Sequence, residues 1–417
     1  MTANPAASGA QAAPSVDDDD AVQPEAHPKL GTIILLGSLT AIGALSIDLY
    51  LPTLPAIGRD FAVTAATVQA TMAAFFVGMA AGGLVYGPVS DRFGRRPALL
   101  AGILIYIAAS IGCAFAPTIG WLIVGRFVQA LGACAGQVIA RAVVRDRYHH
   151  QDSARIFSLL TLVLGVAPMI APTVGAWLVT FASWRVIFAV LAAAGCIIGT
   201  AVTTRLTESR SAATAAQAAG ESVVASFGAL LRQRRLIGYL LAGALNGATL
   251  FTYIASAPDL LITQYGFTPH AFAAAFAVIA VGVIGSSQVN RVLLGRFASD
   301  RILGLASLAG VAGGAGLVAA TFTGEPWLVL AFLFAALTSF GFIAANATAG
   351  ALGVDPLRAG TTSALIGSAS FATGALAASI AGALHDGTPR PMAIVMAVAL
   401  AGAALALHTL ALPRRAG

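Results

Sequence analysis

Charge is what this sequence has least of: only 10% of its 417 residues are Asp, Glu, Lys or Arg, against 58% apolar ones. A soluble domain carries roughly 25% charged residues, so this chain cannot clothe a water-exposed surface, and a soluble globular class is excluded. Cysteine is nearly absent as well. Cys113, Cys134 and Cys196 all fall inside apolar runs, which argues for small packing residues and against a disulfide framework. No Gly-rich phosphate loop ending in Lys-Ser/Thr occurs, so ATP does not power the protein directly. No Cys/His cluster or Ser/His/Asp set occurs either, so no enzyme, metal or cofactor is expected. His149-His150 lies in a basic loop and reads as a solvated pair.

What is present is hydrocarbon-compatible sequence, with mean hydropathy +0.86. About twelve apolar runs follow one another, at roughly 32–55, 67–87, 97–116, 119–140, 155–180, 185–204, 236–257, 271–293, 302–322, 326–349, 359–384 and 391–412. Each is near the ~20 residues that cross ~30 Å of hydrocarbon as a helix, and alternation is too weak for a barrel. The expected fold class is an all-α polytopic membrane protein with twelve transmembrane helices. Residues 1–28, rich in Ala, Pro and Asp, read as a disordered tail. Residues 206–235 carry Ser, Ala, Gln and Gly and end in Arg-Gln-Arg-Arg. They read as a linker between bundles at 29–205 and 236–413. The recurrence of Ser90-Asp91-Arg92 as Ser299-Asp300-Arg301, each between the second and third spans of its half, supports two related six-helix halves.

Alternating these spans from a cytoplasmic N-terminus sorts the arginines. Arg92, Arg95, Arg96, Arg141, Arg145 and Arg147, with most of the others, fall on the cytoplasmic side, while the opposite side receives only Arg59, Arg185 and Arg390. This is a strong positive-inside bias with both termini cytoplasmic. The formal charge of +6 therefore reports topology, and no nucleic-acid partner is needed.

The densest of these basic segments is Gly87 to Arg96, GPVSDRFGRR. Lying between two apolar runs, it must be a tight turn at a membrane face, because charges are costly in hydrocarbon. In it Gly87 is expected to let helices approach, Asp91 to cap a helix start or pair with Arg, and Gly94 to support the turn. Arg92, Arg95 and Arg96 mark the face.

Within the spans, Asp48 alone among the acidic residues lies well inside. An embedded carboxylate usually faces a pathway, although packing against a partner is the bland alternative. Arg126 is the matching oddity in the fourth span. Counting ~1.5 Å per residue from the span ends puts both on the order of 10 Å below one surface. They are expected to share one cavity, each lowering the desolvation cost of the other. Gln129 and Gln137 fall near the Arg126 face, which suggests a water-filled cavity. With Tyr50, and with Asn246, Tyr253 and Asn346 from the charge-poor second half, they form the candidate substrate-cavity set. For the second-half residues, interhelical hydrogen bonding is the commoner role. In the fifth span, Gly165, Pro168, Pro172 and Gly175 predict a bent helix with close contacts.

These strings carry a resemblance. Gly87-x-x-x-Asp91-Arg92-x-Gly94-Arg95-Arg96 closely resembles the loop between helices 2 and 3 of the major facilitator superfamily. Arg126-Phe-Val-Gln129-Ala-Leu-Gly132 looks like its span-4 motif, with Ala130 for a glycine. The Pro and Gly pattern around Pro172 is similar to the span-5 signature of its drug:proton antiporters, with Ala167, Ala171 and Ala176 at three glycine positions. Asp48-Leu-Tyr50-Leu-Pro52-Thr-Leu-Pro55, Ala140-Arg141-Ala-Val-Val-Arg145-Asp146 and Trp184-Arg185-Val-Ile-Phe188 more narrowly resemble the Bcr/CflA multidrug efflux branch. The resemblance implies two pseudo-symmetric six-helix bundles in a bacterial inner membrane that expel drugs such as chloramphenicol-type and bicyclomycin-type compounds. It further implies that Asp48 binds protons or substrate and that Arg126 tunes it. The expected partners are a drug-like small molecule, protons and the bilayer, with the protein a monomer. A metabolite exporter or symporter for amino acids or sugars, and a non-transporting membrane sensor, are the competing readings.

Overall fold

The computed structural model describes residues 30–148, 150–210 and 223–412. The expected tail at 1–28 and residues 211–222 of the expected linker lie outside these. Every regular element among the described residues is helical. The first half contains α1 (Leu30–Asp48), α2 (Leu54–Asp60), α3 (Ala65–Phe93), α4 (Arg95–Ala114), α5 (Ile119–Arg147), α6 (His150–Phe181) and α7 (Arg185–Arg205). A short α8 (Val223–Leu230) precedes the second half, made of α9 (Arg234–Pro258), α10 (Pro269–Leu293), α11 (Ser299–Ala320), α12 (Pro326–Val354), α13 (Ala359–Ala383) and α14 (Arg390–Ala406).

Twelve helical stretches among the described residues are long and apolar enough to cross a membrane. Their centres follow the apolar runs, but several ends do not. Both α3 and α5 run for 29 residues, about 43 Å at 1.5 Å per residue, and carry their arginines out past the hydrocarbon. A helix stops where its backbone bonding stops, not where its apolar run does. Outward from the bundles, large apolar side chains stay uncovered, among them Leu104 at 66%, Ile197 at 71% and Leu305 at 62% exposure. In water such a surface would aggregate; against lipid tails it carries no penalty.

Two six-helix bundles result. In the first, α5 packs against α3 and α4, and α1 against α5 and α6; in the second, α9 packs against α13 and α14, and α12 against α10 and α11. The bundles meet along α3–α13 and α6–α10. Midway along this seam Phe251 stacks on Phe371 at 4.7 Å, and Phe76 sits 4.7 Å from Phe251. Aromatic pairs at such spacing add a modest attraction beyond burial.

The helix that opens each bundle is interrupted near the same membrane face. After α1 the chain makes a turn and a short 3-10 segment, Leu51–Thr53, before α2. Pro52 and Pro55 explain the break, since each lacks the N–H that would continue the ladder. In the second bundle α9 ends at Pro258 and passes into a π-helical turn, Asp259–Gln264. Such turns recur at functional positions.

The Gly87–Arg96 segment differs from the expected turn. Helix α3 continues through Pro88 to Phe93, so only Gly94 is non-helical, with φ +104°. A side chain at that φ would be strained, which explains the glycine. Gly87 faces open space and does not bring helices together. Asp91 closes a helix instead of starting one. The apolar-run boundary at Tyr86 misled because polar residues near a membrane face remain helical when their side chains find partners.

Candidate functional site

The break after Asp48 begins with one missing backbone bond. Tyr50 N–H donates to Ile47 O at 3.2 Å, a three-residue step that leaves the Ser46 carbonyl without its helical donor. Arg126 supplies one from α5: its Nη1 donates to Ser46 O at 3.0 Å and to Gln129 Oε1 at 2.7 Å. A cation at a helix C-terminus is also favoured by the helix dipole. Around it, the rings of Phe75 and Tyr50 lie 4.2 and 4.4 Å from the guanidinium carbon. A desolvated cation over aromatic faces gains roughly 2 kcal/mol. Arg126 is fully buried.

The network continues through neutral groups. Gln129 Nε2 donates to Ser110 Oγ at 2.8 Å, and Ser110 Oγ donates to Tyr106 O at 2.7 Å. The Tyr106 and Ser46 hydroxyls bond to each other at 2.8 Å, closing a ring across α1, α4 and α5. The Tyr50 hydroxyl bonds to Thr71 Oγ1 at 2.9 Å. Every one of these residues except the cation is neutral, so the ring holds a charge without cancelling it.

Asp48 is 3% exposed and makes no hydrogen bond or ion pair with any described residue. The expected Asp48–Arg126 pairing is therefore corrected. The depth estimate brings them to one level, because Arg126 bonds two residues before Asp48, but the guanidinium grips the backbone and Asp48 turns elsewhere. Its electrostatic neighbour is Tyr253 of α9, in the other bundle, whose buried hydroxyl is also unpartnered. Asp48 thus sits at the bundle interface, where the 3-10 segment touches α9 and α10.

The fifth-span motif explains why the break can lie here. A Cβ on Gly175 of α6 would collide with Leu49 O and come within 3.1 Å of Pro52. Only glycine lets α6 cover the interrupted backbone this closely. Pro168 and Pro172 sit inside a continuous α6. Gly165 makes ordinary contact with Ile284 of α10.

The remaining cavity candidates divide. Tyr50, Gln129 and Asn346 are buried and occupied by internal bonds. Asn346 Nδ2 donates to Asn290 Oδ1 at 2.7 Å, and its Oδ1 accepts from Ser299 Oγ at 2.7 Å. Asn246 is buried and donates to Phe340 O at 3.3 Å. Gln137 is half-buried and bonds to no described residue, and with Tyr253 it keeps free hydrogen-bonding capacity.

At the basic face, Arg95 is 3% exposed and gathers Asp91, Ser90 Oγ at 2.8 Å and Asp146 Oδ2 at 2.8 Å. Sequence reasoning missed Glu208. Its carboxylate accepts from the backbone N–H of Arg95 and Ser209 and Arg210, each at 2.9 Å, and of Arg96 at 3.1 Å. It caps the first turn of α4, where a negative charge is favoured. Burial pushes the Glu208 carboxyl up, but the four donors outweigh it and hold it below the ordinary glutamate range. Arg210 adds a bond to Arg92 O at 2.6 Å. The start of the expected linker is therefore fastened onto the first bundle.

Two six-helix bundles joined along a seam, with one buried carboxylate among the described residues beside the α1 break, have the architecture of a membrane transporter of the twelve-helix class. The family model of the Major Facilitator Superfamily matches residues 36–378, and the chain belongs to that family. It is 32% identical over 383 residues to the Bacillus subtilis protein named uncharacterized MFS-type transporter YdgK, covering 90% of this chain and 94% of that one. It is 28% identical over 394 residues to the bicyclomycin resistance protein homolog of Haemophilus influenzae, covering 91% and 95%. Among solved structures, a D-xylose-proton symporter superposes with TM-score 0.71 at 14% identity, covering 91% of this chain and 97% of that one. That last likeness concerns the fold.

Proposed function

We propose that this protein exports small, largely apolar drug-like molecules across a bacterial inner membrane in exchange for protons. The basic face is cytoplasmic in this reading, by the arginine bias, and the bundles at 29–205 and 236–413 rock about the seam as a monomer. The observation that carries the reading is Asp48: a buried carboxylate, without a partner, at a helix break between the bundles. Such a charge is expensive to keep dry. Binding a proton removes the expense, as does opening the seam to water. Occupancy by a proton and the state of the seam are then linked, which is what exchange requires. Arg126 acts on this carboxylate by fixing the end of α1, a positioning role.

The drug-like substrate class is supported by the H. influenzae relative, named for bicyclomycin resistance, and by the aromatic seam of Phe76, Phe251 and Phe371. The α9 helix has no charge between Arg235 and Asp259, and α12 has none at all, so the second bundle suits neutral or singly charged cargo. Proteoliposomes loaded with a compound panel test this: imposing an acid exterior should drive efflux of at least one neutral or singly charged compound. Gradient-independent movement of every compound would refute proton coupling.

A further inference from the structure

On the face opposite the basic one, directly beyond the α1 break, the seam widens into a cavity of about 460 Å³. Leu54, Val63 and Val68 line it from the first bundle, Ala255 and Ile262 from the second. Asp48 and Arg126 are not part of its walls. This volume falls within the usual range for small-molecule pockets, and the wall is apolar as such pockets are.

Two polar side chains, Gln69 and Asp259, stand in this wall behind the mouth. Gln69 is 5% exposed, and its Oε1 is buried without a hydrogen-bond partner. An orphaned acceptor of this kind costs about 1–3 kcal/mol; it lies against Gly382 of α13, and a half-turn of the amide brings it to the cavity and to a donor there. Beside it, Asp259 opens the π-helical turn and lines both this cavity and a small recess on its other side. The Asp259 carboxylate accepts from Gln264 Nε2 at 2.8 Å, with His385 Nε2 at 3.6 Å. Both contacts reach Oδ2, so Oδ1 keeps its lone pairs. The other charge on the wall, Arg59, is exposed at the mouth and donates back to Pro55 O at 3.4 Å. The interior therefore presents apolar surface, a side-chain amide and a carboxylate. A cation bearing N–H donors on an apolar body complements all three.

We propose that this cavity is a second small-molecule site, whose ligand is an amphipathic amine held through its ammonium group by Gln69 and Asp259. Because its walls come from both bundles, a ligand seated there favours the arrangement in which this face is closed. It either delays the return of the empty carrier or holds a leaving molecule before release. The site does not depend on Asp48 or on proton coupling.

Dansylcadaverine, a fluorescent primary amine on an apolar ring system, is a suitable probe, with its uncharged N-acetyl derivative as the control. Titration against the full chain in lipid nanodiscs should give saturable binding of the amine, with the acetylated form about tenfold weaker. Asp259→Asn should weaken binding about tenfold and Gln69→Leu several-fold. Val68→Trp, which fills the cavity, should abolish it, and Asp48→Asn should leave it intact. Ala255→Phe fills the same space from the other bundle and replaces Val68→Trp should that variant not fold. Equal binding of the acetylated form, insensitivity to Asp259→Asn, or no saturable binding to the unaltered chain would each overturn the site. Acid-driven efflux measured in parallel separates the two ideas. Binding that needs Asp259 without any efflux removes the export reading and keeps this site; efflux without such binding does the reverse.

Discussion

In the first bundle a guanidinium and a carboxylate, Arg126 and Asp48, are both at most 3% exposed, whereas the buried polar groups described in the second are all neutral, the amides Asn246, Asn290 and Asn346 together with Ser and Thr hydroxyls. The same six-helix plan serves both. Amides satisfy one another and stay as they are: Asn346 and Asn290 form such a pair. A buried ion cannot be indifferent to its surroundings, because water, a proton or a partner changes its energy by kilocalories. The contrast extends to the repeated motif. Asp91 turns to Arg95 within the first bundle, while Asp300 accepts from Tyr239 at 2.7 Å and lies 3.5 Å from Arg235 of α9. The first bundle holds the buried charges, and the described buried polar groups of the second are neutral.

Arg126→Ala should produce the largest loss. It orphans the Ser46 carbonyl and empties an aromatic cage, and removing one partner from such a buried network typically costs ~3–5 kcal/mol. Thermal unfolding in detergent should drop sharply and transport should vanish. Arg126→Lys should not restore it, since a compact, strongly hydrated ammonium lacks the planar face that lies over the Tyr50 and Phe75 rings. Next comes Gly175→Ala, whose Cβ would press on Leu49 O. Transport should fall about tenfold by displacement of the break. The matched Gly367→Ala, in open space on α13, should be silent.

Smaller effects belong to the basic face. Asp91→Ala and Glu208→Gln should each slow transport several-fold while leaving substrate binding largely intact, because both act on the fastening of helix ends and neither touches the seam at Asp48. The Glu208 cap should be indifferent to pH near neutrality. Its carboxyl sits below the ordinary range, so its contribution is present above that range and is lost only as pH falls through the lowered value. Smallest of all should be the paired change Asn290→Leu with Asn346→Leu, which removes both members of a neutral bond at once and frees only the half-buried Ser299 hydroxyl. Replacing both partners by apolar groups is close to neutral, about 1 kcal/mol, and transport should stay within about twofold. A large loss there would erase the contrast between the bundles.

The architecture was legible because hydrocarbon imposes one rule along the whole chain, so apolar runs locate spans and arginines sort the faces. Asp48 and Arg126 stood out because charge is rare inside spans. Their relation did not, since depth along a helix says nothing of direction around it. The carbonyl that Arg126 grips exists only because Tyr50 bonds three residues back, a detail of the Pro52 break. Glu208 was missed for a similar reason: a carboxylate shortly after the sixth span looks like linker until α4 presents its free N–H groups. Gln129 and Tyr50 looked like pathway residues because they share the Arg126 neighbourhood, yet their polar atoms are all engaged by Ser110, Thr71 and Arg126 itself.

The central claim is that Asp48, held at the end of α1 by Arg126, couples protons to movement of the bundles. Asp48→Asn keeps the shape of the carboxyl group but cannot gain or lose a proton. In proteoliposomes with an acid exterior it should show no uphill efflux, while substrate binding and downhill exchange continue at rates near those of the unaltered chain. Uphill efflux at an undiminished rate in Asp48→Asn, at equal protein density, would contradict the account.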